Sequence, residues 1–317
     1  MEDHHRPLAF WDLHNLNMAS AWRAPITPRM EKLLPDRLRE LWGRVERNEL
    51  TAADGEYQQG LLLDEYRAIW TEALILEGQQ DLRQSLLSEL AAYLGCVDLA
   101  ALESRCKDAT RALSDDWRRM VDPVDTRSIE RFYDQGQGYL FELMWWHTLV
   151  PDDGPLAYVL ALDFARQRQS GRRYLDFGAG VGAGGLLFAR HGFHVSHADI
   201  SSTLLRFSQW RMERRGLSAE FIDLKDASLP PDTFDMITAM DVFEHLPDPV
   251  KAVDHLAIAL KRGGFLFGRF AAEPDEDRPQ HIVFDFGPVL DRLASWGFTE
   301  VWRDEWLWGH QAFQKTL

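Results

Sequence analysis

Three glycines, Gly178, Gly180 and Gly182, follow a short apolar run ending in Asp176-Phe177, and a helical run follows them. Glycine lets a backbone turn tightly and approach a ligand closely. A helix that begins after such a loop directs free N–H groups at that ligand. Asp199 ends the next apolar run, about 20 residues on, as expected for a carboxylate that holds ribose hydroxyls. The alternative role for Asp199 is to cap the following helix, but Ser201 can supply that cap. Between a strand and a helix, these residues read as a nucleoside-cofactor site.

Loop and acid alone do not separate S-adenosylmethionine (SAM) from a nicotinamide dinucleotide. Gly180, Gly182 and Gly185 spell the dinucleotide pattern G-x-G-x-x-G, but that copy is displaced from the strand end. Asp176 closes the first strand just before the glycines, where it would repel a diphosphate. The cationic amino group of SAM welcomes a carboxylate there. The residues therefore favour SAM.

Displacement at a sulfonium carbon needs donor and acceptor in line and, for a protonated acceptor, a base. Histidine is the natural base at neutral pH. His245, with Glu244 beside it, follows the fourth apolar run, His281 follows the acidic loop EPDEDRP, and His147 ends an aromatic helix. His245 and His281 are the leading catalytic candidates. Tyr139, after the Gln137-Gly138 turn, joins them as a catalytic candidate and cofactor contact. With Phe132, Tyr133, Phe141, Trp145 and Trp146 it forms an aromatic bridge that either lids the site or packs between two halves. Trp302, Trp306 and Trp308 either line the opposite wall or are buried. His191, His194 and His197 give no metal site, because His194 and His197, three apart in a strand, point to opposite faces. No metal is expected.

Two patterns must position these residues. Before residue 170 glycine is sparse and apolar residues recur at helical spacing. Leu61 to Leu74 and Leu82 to Leu94 are helical, the second closed by Gly95, and Leu33–Val45 and Leu99–Leu113 read as further helices. From residue 172 strands alternate with helices: strands at 173–177, 194–199, 219–223, 234–241, 264–270, 298–303 and 308–314, helices at 183–191, 202–215, 249–261 and 286–296. Such alternation implies βαβ crossovers and a mostly parallel sheet. The expected division is a helical region over 1–122, an aromatic linker and leading helix over 123–170, and the cofactor-binding domain over 171–317.

Of 317 residues, 45% are apolar and 27% charged, the composition of a folded soluble chain. No apolar stretch is long enough to span a bilayer, and the start, MEDHHRPLAF, lacks a secretory signal. Cys96 and Cys106 fit no zinc or redox spacing, which points to reduced thiols and a cytoplasmic setting. The net charge of −15 argues against nucleic acid. A small molecule is the expected substrate, no membrane partner is expected, and a homodimer stays open.

Taken together, the segments resemble class I SAM-dependent methyltransferases. LDFGAGVG at 175–182 looks like the family's first motif and HADIS at 197–201 like its ribose site. IDLKDASLPPDTFDMITAMDVFEHLPDP looks like its adenine strip and fourth-strand motif, and LKRGGFLFGRF like its turn into strand five. The resemblance implies a Rossmann-like seven-stranded sheet with an antiparallel final hairpin, here behind an N-terminal all-α cap. It implies that Gly178, Gly180 and Gly182 line methionine and ribose, with Asp176 near the amino group and Asp199 on the ribose. Ile200 would pack on adenine, Asp226 would accept its amino group beside the Ala227 backbone, and the Met240 carbonyl and Asp241 would close the methionine end. Asp226 as a plain surface acid, with Asp223 as its competitor, is the alternative. The implied activity is methyl transfer to a small molecule. Aminocarboxypropyl transfer, or cyclisation of SAM to azetidine-2-carboxylate with release of methylthioadenosine, is the first rival. An NAD(P)-dependent oxidoreductase and a non-catalytic module with a vestigial pocket follow.

Overall fold

The computed structural model describes residues 32–317; the N-terminal run with His4 and His5 lies outside them. The helical part runs α1 (Leu34–Glu46), α2 (Ala52–Leu74), α3 (Leu82–Leu94), α4 (Leu99–Lys107), α5 (Ala109–Met120), α6 (Thr126–Gln135), α7 (Gly138–Trp146) and α8 (Ala157–Gln167). Their ends carry local signals. Thr51 and Asp54 form a reciprocal capping box that starts α2. Asp81 and Asp98 cap α3 and α4, and Gly95 stops α3 in the left-handed conformation. The single helix expected over Leu99–Leu113 is two helices that break at Asp108, the C-cap of one and N-cap of the next. Its apolar spacing continues across the break, so periodicity alone could not show the corner.

The second part alternates as expected: β1 (Arg173–Phe177), α9 (Ala183–Arg190), β2 (His194–Asp199), α10 (Ser202–Arg214), β3 (Ala219–Asp223), β4 (Phe234–Ala239), α11 (Pro249–Ala259), β5 (Leu260–Arg269), α12 (Gly287–Ser295), β6 (Phe298–Arg303) and β7 (His310–Lys315). The seven strands lie in the order β3-β2-β1-β4-β5-β7-β6. β1 pairs in parallel with β2 and β4, and β7 is antiparallel to both β5 and β6. The order reverses between β1 and β4, and in such sheets the crevice at the carboxyl ends of the strands at the reversal is where ligands bind.

Alternate β1 residues face opposite cores. Leu175 and Phe177 join Ile237, Leu266 and Phe313 beneath α11 and α12. Tyr174 joins Phe188, Met236 and Phe267 in a core that continues into the helical part through Leu160, Trp70, Leu86 and Leu34. Residues 32–317 are accordingly one compact unit. Trp302 of β6 reaches the other way, its Nε1 donating to Asp36 of α1 at 3.1 Å. Among the described residues no single helix is long and apolar enough to cross a membrane.

Trp70 sits at the seam. It is fully buried, stacks on Tyr158 of α8 (centroids 5.9 Å apart, planes at 20°) and donates from Nε1 to the His147 carbonyl at 3.0 Å. Trp70→Ala should cost about 3–5 kcal/mol. Urea denaturation followed by far-UV circular dichroism and by tryptophan fluorescence checks this, and because the core is continuous both signals should move together in one transition.

Candidate functional site

The glycine loop after β1, the turn after β4 and the segment after β5 meet at the carboxyl edge of the sheet. Gly178, Gly180 and Gly182 all have positive φ, at 71°, 51° and 74°. A Cβ on Gly182 would lie 2.0 Å from Ser208 Oγ of α10, and one on Gly180 would lie 2.8 Å from Leu143 Cδ1 of α7. The loop is thus held between the helix behind it and the aromatic helix in front. Gly178 N donates to the Ala198 carbonyl at 2.8 Å, which ties the loop to β2.

Asp176 lies beneath the loop and is fully buried. Its Oδ2 accepts the Gly185 amide at 3.0 Å and its Oδ1 the Thr238 hydroxyl at 3.3 Å. Burial, only partly offset by these bonds, pushes its pKa up to about 7. Gly185 is in the first turn of α9, so one of the amides that a diphosphate would need is already given to a carboxylate.

Asp199 is buried at the end of β2. Its Oδ2 accepts the Gly180 amide and its Oδ1 the Ser201 amide, both at 2.8 Å, and burial raises its pKa. A carboxylate has about four acceptor directions, so these amides leave capacity for a hydroxyl. Ser201 caps α10 through Leu204 N, leaving Asp199 free of that task. Ile200 beside it is half-buried. Asp241, after the buried Met240, holds a left-handed backbone (φ 49°) that is uncommon outside glycine, and its Oδ1 meets Arg269 Nη1 at 3.4 Å.

Asp226 and Ala227 are both exposed. Ala227 N donates to the Asp223 carbonyl, and Asp223 rather than Asp226 is the engaged acid, accepting the Ser202 hydroxyl at 2.9 Å and the Lys225 amide at 3.0 Å.

The candidate bases converge beside the loop. Glu244, His245 and His281 each bring one ligand-capable atom within 4.8 Å of the others. The main chain binds the two segments together, with the amides of Ile282 and Val283 both donating to the Glu244 carbonyl. His245 Nδ1 lies 3.0 Å from the Tyr133 hydroxyl and 3.1 Å from the Gln280 carbonyl. A carbonyl only accepts, so this arrangement assigns the proton to Nδ1 and leaves Nε2 with a bare lone pair. Burial, reinforced by His281 nearby, pushes the His245 pKa down to about 4, which keeps the ring neutral at pH 7. Burial first and Asp241 second push Glu244 up to about 8, and its Oε2 is buried without a hydrogen-bond partner. Tyr139 stacks on Tyr133 with centroids 5.3 Å apart, and burial pushes its hydroxyl pKa well above the ordinary value.

Other expected histidines lie apart. His147 is enclosed between Trp70 and Trp146, and burial pushes its pKa down to about 3. His194 is exposed and His197 buried, as opposite faces require. Sequence reasoning passed over Tyr133 as a base partner and Gln280 entirely. It also missed His310, buried with neither ring nitrogen bonded and in register with Arg269.

The acids around the loop fit a cation without phosphate. Asp176, Asp199 and Asp241 surround it, the Arg269 guanidinium beside them is taken by Asp241, and Asp176 occupies a helix-start amide. A family model described as "Methyltransferase domain" matches residues 155–312. A ubiquinone biosynthesis O-methyltransferase from Xylella fastidiosa is 35% identical over 130 residues, 39% of this chain and 52% of that protein. One of the same name from Coxiella burnetii is 28% identical over 150 residues, 45% of this chain and 61% of that protein. The chain therefore spans little more than half the length of the curated relatives it matches. A solved SAM-dependent methyltransferase from Mesorhizobium loti is 18% identical, with a TM-score of 0.38 over 46% of this chain and 91% of that one. Through its C-terminal half the chain belongs to the class I SAM-dependent methyltransferases, with SAM as the cofactor of that domain.

Proposed function

We propose that the protein transfers the SAM methyl group to a hydroxyl oxygen of a small molecule. The observation that carries this reading is the pairing, at one sheet edge, of an acid-lined glycine loop with an imidazole whose Nε2 lone pair is free. Bound SAM supplies an electrophilic methyl group on a sulfonium. The chain's own residues do the rest. Asp199 turns its remaining acceptor capacity to the ribose hydroxyls, and Ile200 gives adenine an apolar face. Asp176, with Asp241 and the Met240 carbonyl, provides negative charge for the amino group, and Gly178 and Gly182 keep side chains out of the way. Asp226, exposed and without a side-chain bond, is open to the adenine amino group beside Ala227.

His245 takes the acceptor's proton on Nε2, and the Gln280 carbonyl and Tyr133 oxygen hold the Nδ1–H of the imidazolium that results. Glu244, neutral at pH 7, does not compete for that proton. His281 faces His245 with ring centroids 4.8 Å apart and serves as the acceptor's second polar contact. Tyr139 closes the site with its ring, from the helix whose Leu143 covers Gly180. A small acceptor in a reducing cytoplasm suits the enclosed cluster and the two free thiols.

The deciding experiment incubates the protein with SAM and a panel of small phenols and alcohols, and reads the donor product by mass spectrometry. S-adenosylhomocysteine with a methylated acceptor supports the reading. Methylthioadenosine would move the chemistry to the aminocarboxypropyl carbon, and binding of NAD(P) in place of SAM would overturn the site.

Asp199→Ala should weaken SAM binding by about 1–3 kcal/mol, measured by calorimetry. His245→Ala should lower kcat by about 10²–10⁴-fold with the SAM Kd unchanged. Asp176 and Glu244 also give the fold a pH dependence. Both have folded pKa values, about 7 and about 8, above their ordinary 3.8 and 4.5, so their contribution is complete below the ordinary values and lost as pH rises through the folded ones. Urea midpoints should therefore fall as pH rises from about 4 to about 8. Asp176→Asn should flatten the decline. A cation bound near Asp176 favours its ionised form, so SAM affinity should rise over the same window in the native protein and less in the variant.

A further inference from the structure

Glu89 is the most deeply buried charge in the helical part. It lies in α3, fully enclosed, and faces two arginines one turn apart, Arg211 of α10 and Arg215 at its C-cap. Arg211 Nε donates to its Oε2 at 3.0 Å, Arg215 Nη2 donates to the same oxygen at 3.1 Å, and Arg215 Nη1 donates to Oε1. Burial works to raise the Glu89 pKa, but the arginines outweigh it and hold the carboxyl below its usual range. Arg211 is itself fully buried, its pKa pushed down by that burial to about 10, so it stays charged at pH 7.

The two arginines differ in what else they hold. Arg215 turns back into the helical part and donates to the Leu74 carbonyl at the end of α2, at 2.8 Å. Arg211 turns toward the cofactor site and donates from Nη1 to the Val181 carbonyl at 2.7 Å. Val181 lies between Gly180 and Gly182, in the part of the loop pressed against Ser208, one turn before Arg211 on α10. A guanidinium is a rigid planar fork, so fixing one edge fixes where the other points. Glu89 therefore fixes the direction from which Arg211 grips the loop.

We propose that Glu89 is a positioning residue for the cofactor loop: acting through Arg211, it sets the geometry of residues 178–182 and hence the affinity for SAM, without touching the ligand. The helical part is then a determinant of cofactor binding and not solely a cover for the acceptor. This rests on the loop being the SAM site, but the coupling between Glu89 and the loop can be read without any ligand.

The test compares Glu89→Gln, which keeps shape and removes charge, with Arg215→Met, which loosens α3 and α2 but leaves the Arg211–Val181 bond. Both are made in the full chain. Hydrogen exchange of the amides of 178–185 is followed without ligand, the SAM Kd by calorimetry, and stability by thermal melting. Glu89→Gln should speed exchange in the loop and raise the Kd by about tenfold, inside the usual range of coupling between sites. Arg215→Met should lower the melting temperature with loop exchange and Kd unchanged. Should Glu89→Gln prove unfolded, Glu89→Asp, which keeps the charge but withdraws the carboxylate by one carbon, should show the same loop-selective effect in smaller measure. Loop exchange unchanged in a folded Glu89 variant overturns the proposal, as does an equal change in loop exchange in Arg215→Met. If the unaltered chain fails to bind SAM while loop exchange still responds to Glu89, the cofactor reading has failed and the coupling has not.

Discussion

What α9 can bind is decided by one carboxylate. A helix start with free amides after a glycine loop is a general anion site. In this chain Asp176 enters from the end of β1 and takes the Gly185 amide for itself. The sheet fixes the placement, because Asp176 stands opposite His197 of β2 and Thr238 of β4, and Thr238 holds its other oxygen. A diphosphate would have to displace a buried acid, whereas a ligand with a cationic end gains from it. The chemistry of the whole crevice follows, since Asp199 and Asp241 extend the same sign of charge around the loop.

The helical part is built onto the sheet and its loops at several points. Leu143 covers Gly180, Trp302 is held by Asp36, Arg190 of α9 donates to the Ala73 carbonyl at 2.9 Å, and Tyr133 reaches His245. These contacts come from α1, α2, α6 and α7, so the helices close around the sheet from several sides. A fold of this class hosts many activities, and additions of this kind are where selectivity is built. Here the addition also brings the Tyr133 hydroxyl to His245 and the Glu89 carboxylate to Arg211, which holds the glycine loop.

Much of this was legible in the sequence, for physical reasons. β1, β2, β3 and β6 fall on the expected residues because each is a short segment set off from the neighbouring helices, and the parallel crossovers follow from that alternation. Gly95 and Ser201 act as the caps their types suggest. The corner at Asp108 was hidden because both helices keep the same apolar spacing. Glu89 was hidden for a related reason: within a leucine-rich helix a glutamate looks like the solvated face, and only the arginines of a distant helix reveal that it points inward. Buried ion pairs across long sequence separations leave no local trace.

The cluster of Glu244, His245 and His281 shows the same limit from another side. Glu244 and His245 read as one short segment and His281 as another, and nothing in their spacing joins them. The joining is done by main chain, through the Glu244 carbonyl that accepts both Ile282 and Val283, and by the Gln280 carbonyl that fixes the His245 tautomer. Backbone groups carry no residue identity, so no motif encodes these bonds. Their effect is nonetheless chemical. The segment that bears His281 also decides which nitrogen of His245 is free, so loosening it would remove a neighbour and release the His245 tautomer together. The two histidines are therefore one unit, made so by carbonyls that any sequence could have offered and that this fold alone brings together.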